Sequence, residues 1–225
     1  MTNINIAKIL AVIVSFVGLL VVFGWVNDIQ VLKSILPEWI PMRFITAVIF
    51  VFSGIALFYI AEEVDNEEGI AQAVVPLMST IILAIMGTFL ASTALGFKTG
   101  LDGFFIKETL SATKVFSPGF PSTGVIISFI IFGSVGMVVT FGLGNIKKYL
   151  KISWWIIAII SSVAIVGYAV GVPFMYYDIS GFSATMAFHA AILLLFLGYS
   201  LVLLGDEVEK SALDRFLYHD PRRSI

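Results

Sequence analysis

The hydrocarbon core of a bilayer takes about 20 consecutive apolar residues per helical crossing. This sequence supplies such a run six times, over 8–26, 43–61, 72–97, 122–145, 152–172 and 184–205, and none holds an acidic residue away from its ends. Of the 225 residues 59% are hydrophobic and only 12% charged, where globular chains average about 45–50% and about 25%. The expected fold is an all-α membrane protein of six transmembrane helices, with residues 1–205 as one bundle and 206–225 as a short cytoplasmic tail. The longest connection runs only from about Lys98 to Pro121, so binding or chemistry has to come from the bundle and its loops. The first run continues into Phe23-Gly24-Trp25-Val26 with no small-residue cleavage pattern, which reads as a retained anchor and not as a signal peptide.

Thirteen basic against fifteen acidic residues leave a net charge of −2, with no cationic excess to neutralise a phosphate backbone, so nucleic acid is not an expected partner. Cysteine is absent, which removes disulfides, iron–sulfur clusters, thiolate zinc sites and cysteine nucleophiles together. The basic residues also orient the chain. With the N-terminus cytoplasmic, that side receives Lys8, Lys147, Lys148, Lys151, Lys210, Arg215, Arg222 and Arg223, and the other side Lys33, Arg43, Lys98, Lys107 and Lys114. The tight cluster at 147–151 decides for a cell-membrane protein with both termini in the cytoplasm. Trp154 and Trp155 near that cluster, with Trp25 and Trp39 at the opposite face, suit the two aromatic belts at headgroup depth.

An internal similarity runs through the even-numbered helices. Met42, Thr46, Phe50 and Gly54 match Pro121, Val125, Phe129 and Gly133, and again Met186, Ala190, Leu194 and Gly198, with twelve residues to the glycine each time. Positions four apart make a continuous ridge that packs into a neighbour's groove, and a glycine lets another helix come close where the hydrophobic effect supplies no drive for association. Gly24-Trp25 before Met42 and Gly167-Tyr168 before Met186 stand at nearly equal leads, and Gly96-Phe97 precedes Pro121 by a longer one. Three parallel two-helix hairpin repeats, related by an axis along the membrane normal, are predicted, with Gly54, Gly133 and Gly198 as helix-packing positions.

The segment from Gly24 to Phe58, with Trp25, Leu32-Lys-Ser-Ile-Leu-Pro37, Pro41-Met42 and Thr46-Ala47, and the segment Met186-Ala-Phe-His189-Ala-Ala191 followed by Gly198, resemble the six-helix membrane region at the N-terminus of many bacterial and archaeal sensor histidine kinases and diguanylate cyclases. The resemblance covers nearly the whole chain. It implies a six-span sensory or signalling module, ordinarily followed by a cytoplasmic output domain. Only some twenty residues follow Leu204, without an H-box, an ATP-binding segment or a GGDEF-type sequence. Output is therefore expected from a separate protein.

Chemistry inside the membrane calls for ionisable groups paired or facing a cavity, and the runs carry no interior Asp, Glu or Lys. Ion coupling, a retinal Schiff base, intramembrane proteolysis and haem held by two facing histidines all lack their residues, so neither an enzyme, a metal site nor a cofactor is expected. The polar outliers are Arg43 and His189, each near the outer start of a ridge helix. Together with Trp39 and Tyr177 they are the candidate ligand contacts, and His189 is a candidate proton-sensitive switch. The plainer expectation has Ser180, Ser183 or Thr185 satisfying His189 and Arg43 snorkelling to headgroups. The outer loops, rich in aromatics, are the natural place for a cap over a concave site. The resulting expectation is a non-catalytic sensory module in the lipid bilayer, relaying an outer-face or lipid-derived signal to a separate cytoplasmic protein. An alternative is a structural or accessory subunit of a membrane complex. A passive pore would need a polar lining from Ser79, Thr80, Thr88, Ser92, Thr93, Ser128 and Ser134.

Overall fold

The computed structural model describes residues 2–36, 39–65, 69–95, 120–177 and 183–218. Among them the long elements are all helices: α1 (Asn3–Val26), α3 (Phe44–Val64), α4 (Ala71–Leu95), α5 (Thr123–Thr140), α6 (Ile146–Val170) and α7 (Phe188–Tyr218), with a short α2 (Gln30–Lys33) and a 3₁₀ turn (Pro173–Tyr176). The six long helices are long and apolar enough to cross a membrane. Their ends follow local chemistry. Thr2, Ser122 and Asn145 accept hydrogen bonds from the first free N–H groups of α1, α5 and α6, the ordinary N-cap role of such side chains. The fourth span stops at Thr140, short of the expected 145, because Gly142 and Gly144 turn the chain through positive φ. The fifth begins earlier than expected, at Ile146, since its lysine-bearing first turns stay helical.

Consecutive helices pair α1 with α3, α4 with α5 and α6 with α7, and α3, α5 and α7 meet at the centre. Burial divides the helices the same way: the apolar windows of α3, α5 and α7 are 61%, 56% and 67% buried, those of α1, α4 and α6 only 28%, 28% and 33%. Central helices touch protein nearly all round, whereas outer ones turn most of their surface to lipid. The predicted ridge positions Thr46, Phe50, Val125, Phe129, Ala190 and Leu194 are all buried. Phe50 and Phe129 meet edge to face with ring centroids 4.9 Å apart, a favoured aromatic geometry.

Each ridge glycine packs against the outer helix of its own pair. A Cβ on Gly54 would meet Ser15 and stand 2.5 Å from the Ala11 carbonyl oxygen, one on Gly133 would stand 2.9 Å from Leu83, and one on Gly198 3.0 Å from Trp154. Close approach of two backbones, expected at all three, is found at Gly54, where Gly18 of α1 reciprocates with a position 2.9 Å from the Ala47 oxygen. Gly133 and Gly198 instead make room for large side chains. The tryptophan belts are reduced accordingly: Trp154 fills the space at Gly198, Trp25 and Trp39 are partly buried, and Trp155 alone of the four is largely exposed, at 64%.

Of the seven hydroxyls of a supposed pore lining, four turn back on their own helices, while Ser79 Oγ is buried without a partner and Thr80 Oγ1 lies 4.0 Å from Met137 Sδ of α5. Thr88, Thr93, Ser128 and Ser134 donate to the carbonyls of Ala84, Phe89, Gly124 and Ile130, each four residues earlier. A hydroxyl bonded this way is satisfied inside an apolar bundle without a water-filled channel.

Candidate functional site

At the end of the bundle opposite the N-terminus, two of the three helical hairpins close in the same manner. Just past the ends of α1 and α6 the chain enters left-handed backbone, at Asp28 (φ 55°) and Gly171 (φ 73°). The next N–H reaches back five residues, Ile29 to the Gly24 oxygen at 2.8 Å and Val172 to the Gly167 oxygen at 2.9 Å, the bond that marks a Schellman motif. The chain then folds onto the glycine, where a Cβ would lie 2.6 Å from Leu32 Cβ in one case and 2.6 Å from Met175 Cβ in the other. The one-turn elements Gln30–Lys33 and Pro173–Tyr176 follow. Finally the Met42 N–H donates to the Lys33 oxygen and the Met186 N–H to the Tyr176 oxygen, both at 2.9 Å. Trp25 Nε1 donates to the Met42 carbonyl at 2.8 Å, and the Tyr168 hydroxyl to the Met186 carbonyl at 2.7 Å. An indole N–H and a phenol O–H thus pin the same backbone position two residues before α3 and α7 begin. Tyr168→Phe is expected to cost about 1 kcal/mol, the net worth of one hydrogen bond, and to raise amide exchange in the loop before α7 only, as hydrogen-exchange mass spectrometry would record; Trp25→Phe, which also trims the ring beside the Lys33 ammonium, is expected to cost more and to act on the loop before α3.

The first loop carries a charge as well. Lys33 is buried at 5% exposure, its ammonium paired with Asp28 and 4.7 Å from the centre of the Trp25 ring. The hydrogen bond from Lys33, and then its charge, hold the Asp28 carboxyl below the usual carboxylate range. Ser34 Oγ lies 2.6 Å from the Leu36 oxygen and 2.8 Å from the Trp39 oxygen, which fixes the approach to Trp39. Trp39 leaves its own hairpin and docks on the third, with ring centroids 4.7 Å from Phe188 and 5.4 Å from Tyr168. Tyr168 in turn stacks on Tyr176 at 4.5 Å.

The four expected ligand contacts therefore take different places. Trp39 is a packing element of this aromatic cluster. Tyr177, in left-handed backbone at φ 64°, is a wedge between helices: its hydroxyl donates to the Ile160 carbonyl of α6 at 3.2 Å, and its ring lies where a Cβ on Gly124 of α5 would come within 2.8 Å. Burial pushes its phenol pKa up. Arg43 is half-buried at the N-cap position of α3. His189 is 8% exposed, and its Nε2 has no hydrogen-bond partner. The expectation that Ser183 satisfies it is not met, since Ser183 Oγ accepts from the Thr123 N–H at 3.1 Å and lies 3.1 Å from the Ala184 oxygen. Ser180, the Gly96-Phe97 pair and the aromatics at 104–105 and 116 lie outside the described residues. Sequence reasoning passed over Lys33, Asp28, Tyr168 and Phe188 as site residues. Their signal was the tyrosine standing where the first hairpin has Trp25.

The opposite end of the bundle holds an ionic clasp. Lys147 of α6 stands 2.5 Å from Glu209 of α7, and Lys151 stands 2.8 Å from Asp206 and 3.0 Å from Glu209. Lysines in the first turns of a helix oppose its dipole. Carboxylates from α7 offset that conflict, and because the pairs are a third to a half exposed, solvent screening keeps each of them weak.

Comparison with protein-family models, with curated proteins and with solved structures finds no match for this chain.

Proposed function

We propose that this protein is a non-catalytic membrane signalling module, in which a stimulus at the outer loops displaces α7 and a separate cytoplasmic protein reads the displacement. One observation carries the reading. Helix α7 runs without a break from Phe188, inside the outer aromatic cluster, to Tyr218, and 31 residues at about 1.5 Å each make a rod of roughly 46 Å. Such a rod outruns the hydrocarbon core, of about 30 Å, so motion at one end is delivered at the other. The clasp of Lys147 and Lys151 with Asp206 and Glu209 suits this use, because a hold made of solvent-screened pairs leaves two positions of the helix within reach of a ligand's differential binding.

The same proposal takes the hairpins as three parallel repeats. The paired glycines, left-handed turns and methionine carbonyl bonds of the first and third support it. It also takes both termini as cytoplasmic, supported by the cluster of Lys147, Lys148 and Lys151, of which Lys147 and Lys151 lie beside the charged end of α7, as basic residues favour the cytoplasmic face.

A reporter cyclase or kinase output domain, joined after Tyr218 through zero to four added alanines, tests the relay. Output is expected to rise and fall with a period of about 3.6 residues, and Trp39→Ala or His189→Phe is expected to shift it at a fixed insertion. Output indifferent both to phase and to the outer substitutions would sink the proposal.

A further inference from the structure

The loops before α3 and α7 close through the same backbone bonds but are fastened by different side chains. Trp25, Asp28, Lys33 and Met42 of the one stand where Tyr168, Gly171, Tyr176 and Met186 stand in the other. Before α7, Tyr176 stacks at 4.5 Å on the ring whose hydroxyl binds the methionine carbonyl, and the turn residue is a glycine, which adopts left-handed backbone freely. Before α3, the residue over the ring is Lys33, its ammonium 4.7 Å from the Trp25 centroid. The turn residue there is Asp28, whose carboxylate pairs with that ammonium. A contact between two neutral rings is thus replaced by a ring, a cation and an anion.

The two charges differ in their surroundings. The side chain of Lys33 is 7% exposed and that of Asp28 95%. Among the described residues Asp28 is the one ion-pair partner of Lys33, so a buried charge depends on a counter-ion that stands in water. Burying a charge without its partner is strongly unfavourable, whereas a neutral side chain of similar shape in the same place is not. Lys33 also carries the closure itself: its carbonyl accepts from the Met42 N–H, and the next residue, Ser34, bonds the Trp39 oxygen. Movement of Lys33 into water therefore releases the closing bond and the tether of Trp39 together.

From this geometry we infer that the loop before α3 is an acid-released latch, shut by ionised Asp28 over the buried Lys33 and opened when that carboxylate takes a proton from the water it faces. The other ionisable groups at this end, among the described residues, are Arg43 at the N-cap of α3, His189 in the first turn of α7 and the phenols of Tyr168, Tyr176 and Tyr177. The last turns of α1 carry no charge. A guanidinium and a phenol keep their charge states from neutral pH into acid, which leaves the imidazole and Asp28, and a variant at Asp28 separates the two. The hydrogen bond from Lys33, and then its charge, lower the Asp28 pKa. The pair's contribution is therefore whole above about pH 4, the ordinary aspartate value, and is lost as the pH falls through the lower value of the closed loop. Any effect of the latch on α7, through Trp39 and Phe188, rests on the relay proposed above; the latch itself does not.

The chain has no cysteine, so Ile35→Cys and Phe174→Cys, at positions 50% and 70% exposed, place spin labels on the two loops alone. Double electron–electron resonance on the full chain in detergent micelles then reads the distance between them. A single narrow distance is expected at neutral pH, and a longer, broader one at about pH 2, well below the ordinary aspartate value of about 3.9. Asp28→Asn keeps a residue that tolerates left-handed backbone and is expected to give the open distribution already at neutral pH, with no further change in acid. Lys33→Met fills the space over Trp25 without a charge and is expected to stay closed at both pH values, alone or combined with Asp28→Asn. The two ends of one ion pair thus act in opposite directions, which a merely stabilising surface pair would not produce. An unchanged distance in acid, an acid shift that survives Asp28→Asn, or a Lys33→Met chain as open as Asp28→Asn would overturn the latch. Because the distances are read without any output domain, they bear on the latch whether or not α7 relays.

Discussion

Gly54→Leu is expected to destabilise the bundle by about 3 kcal/mol, near the top of the usual range for overpacking, and to part α1 from α3. The size follows from what the new side chain would meet. A Cβ at this position stands 2.5 Å from the Ala11 carbonyl oxygen and 2.8 Å from the Ser15 nitrogen, and backbone atoms cannot rotate away as the tip of a flexible side chain can. Within lipid no hydrophobic drive compensates, because the tails outside are as apolar as the seam within. Gly87 is the internal control: nothing lies within 4 Å of a Cβ there, so Gly87→Ala should stabilise α4 by about 0.5–1 kcal/mol, the ordinary gain of alanine over glycine inside a helix. Reversible unfolding by steric trapping in bicelles reads both. A Gly54→Leu protein as stable as the parent would mean that the two helices are not held at backbone contact.

Phe129→Ala is expected to cost about 3 kcal/mol, the lower end of the range for removing a buried phenylalanine. The side chain is fully buried at the centre of the bundle and meets Phe50 edge to face. Truncation removes that contact and leaves a cavity that the three central helices can close only by moving together. The lower end applies because part of the usual penalty is transfer out of water, which is missing when the unfolded helices remain in the bilayer. Phe16, 58% exposed to the lipid side, supplies the contrast: Phe16→Ala should change stability by no more than about 0.5 kcal/mol. Equal costs at the two positions would place Phe129 outside a packed core.

Much of the architecture was legible in the chain because a bilayer imposes length. Six apolar runs become six helices whatever their partners; their ends moved where caps and positive-φ glycines intervened, at Asn145 and Gly142–Gly144 and at Asn3 behind the Thr2 cap, and α7 begins later, at Phe188, and runs on past its apolar run to Tyr218. The ridge spacing of Thr46, Phe50 and Gly54 was legible because positions four apart share a face. The function of each outer residue was less so. Trp39 and Tyr177 read as ligand contacts because loop aromatics often are, yet the first packs on Phe188 of another hairpin and the second wedges between α5 and α6. Nothing local to either residue names a partner some 150 positions away or on a different helix. Lys33 is the converse case, a lysine counted only for its charge that proves to be buried over Trp25 beside Asp28.

By itself the sequence determined the number of helices, their places along the chain and the faces on which they could pack, since crossing length and helical period are properties of a single segment. The packing of the helices settles which of them lie inside, that Gly54 meets backbone while Gly133 and Gly198 meet side chains, and that the loops before α3 and α7 close through the same bonds. Each of these depends on the distance between two segments, and in lipid that distance is set by shape and hydrogen bonding alone, neither of which composition or hydropathy records.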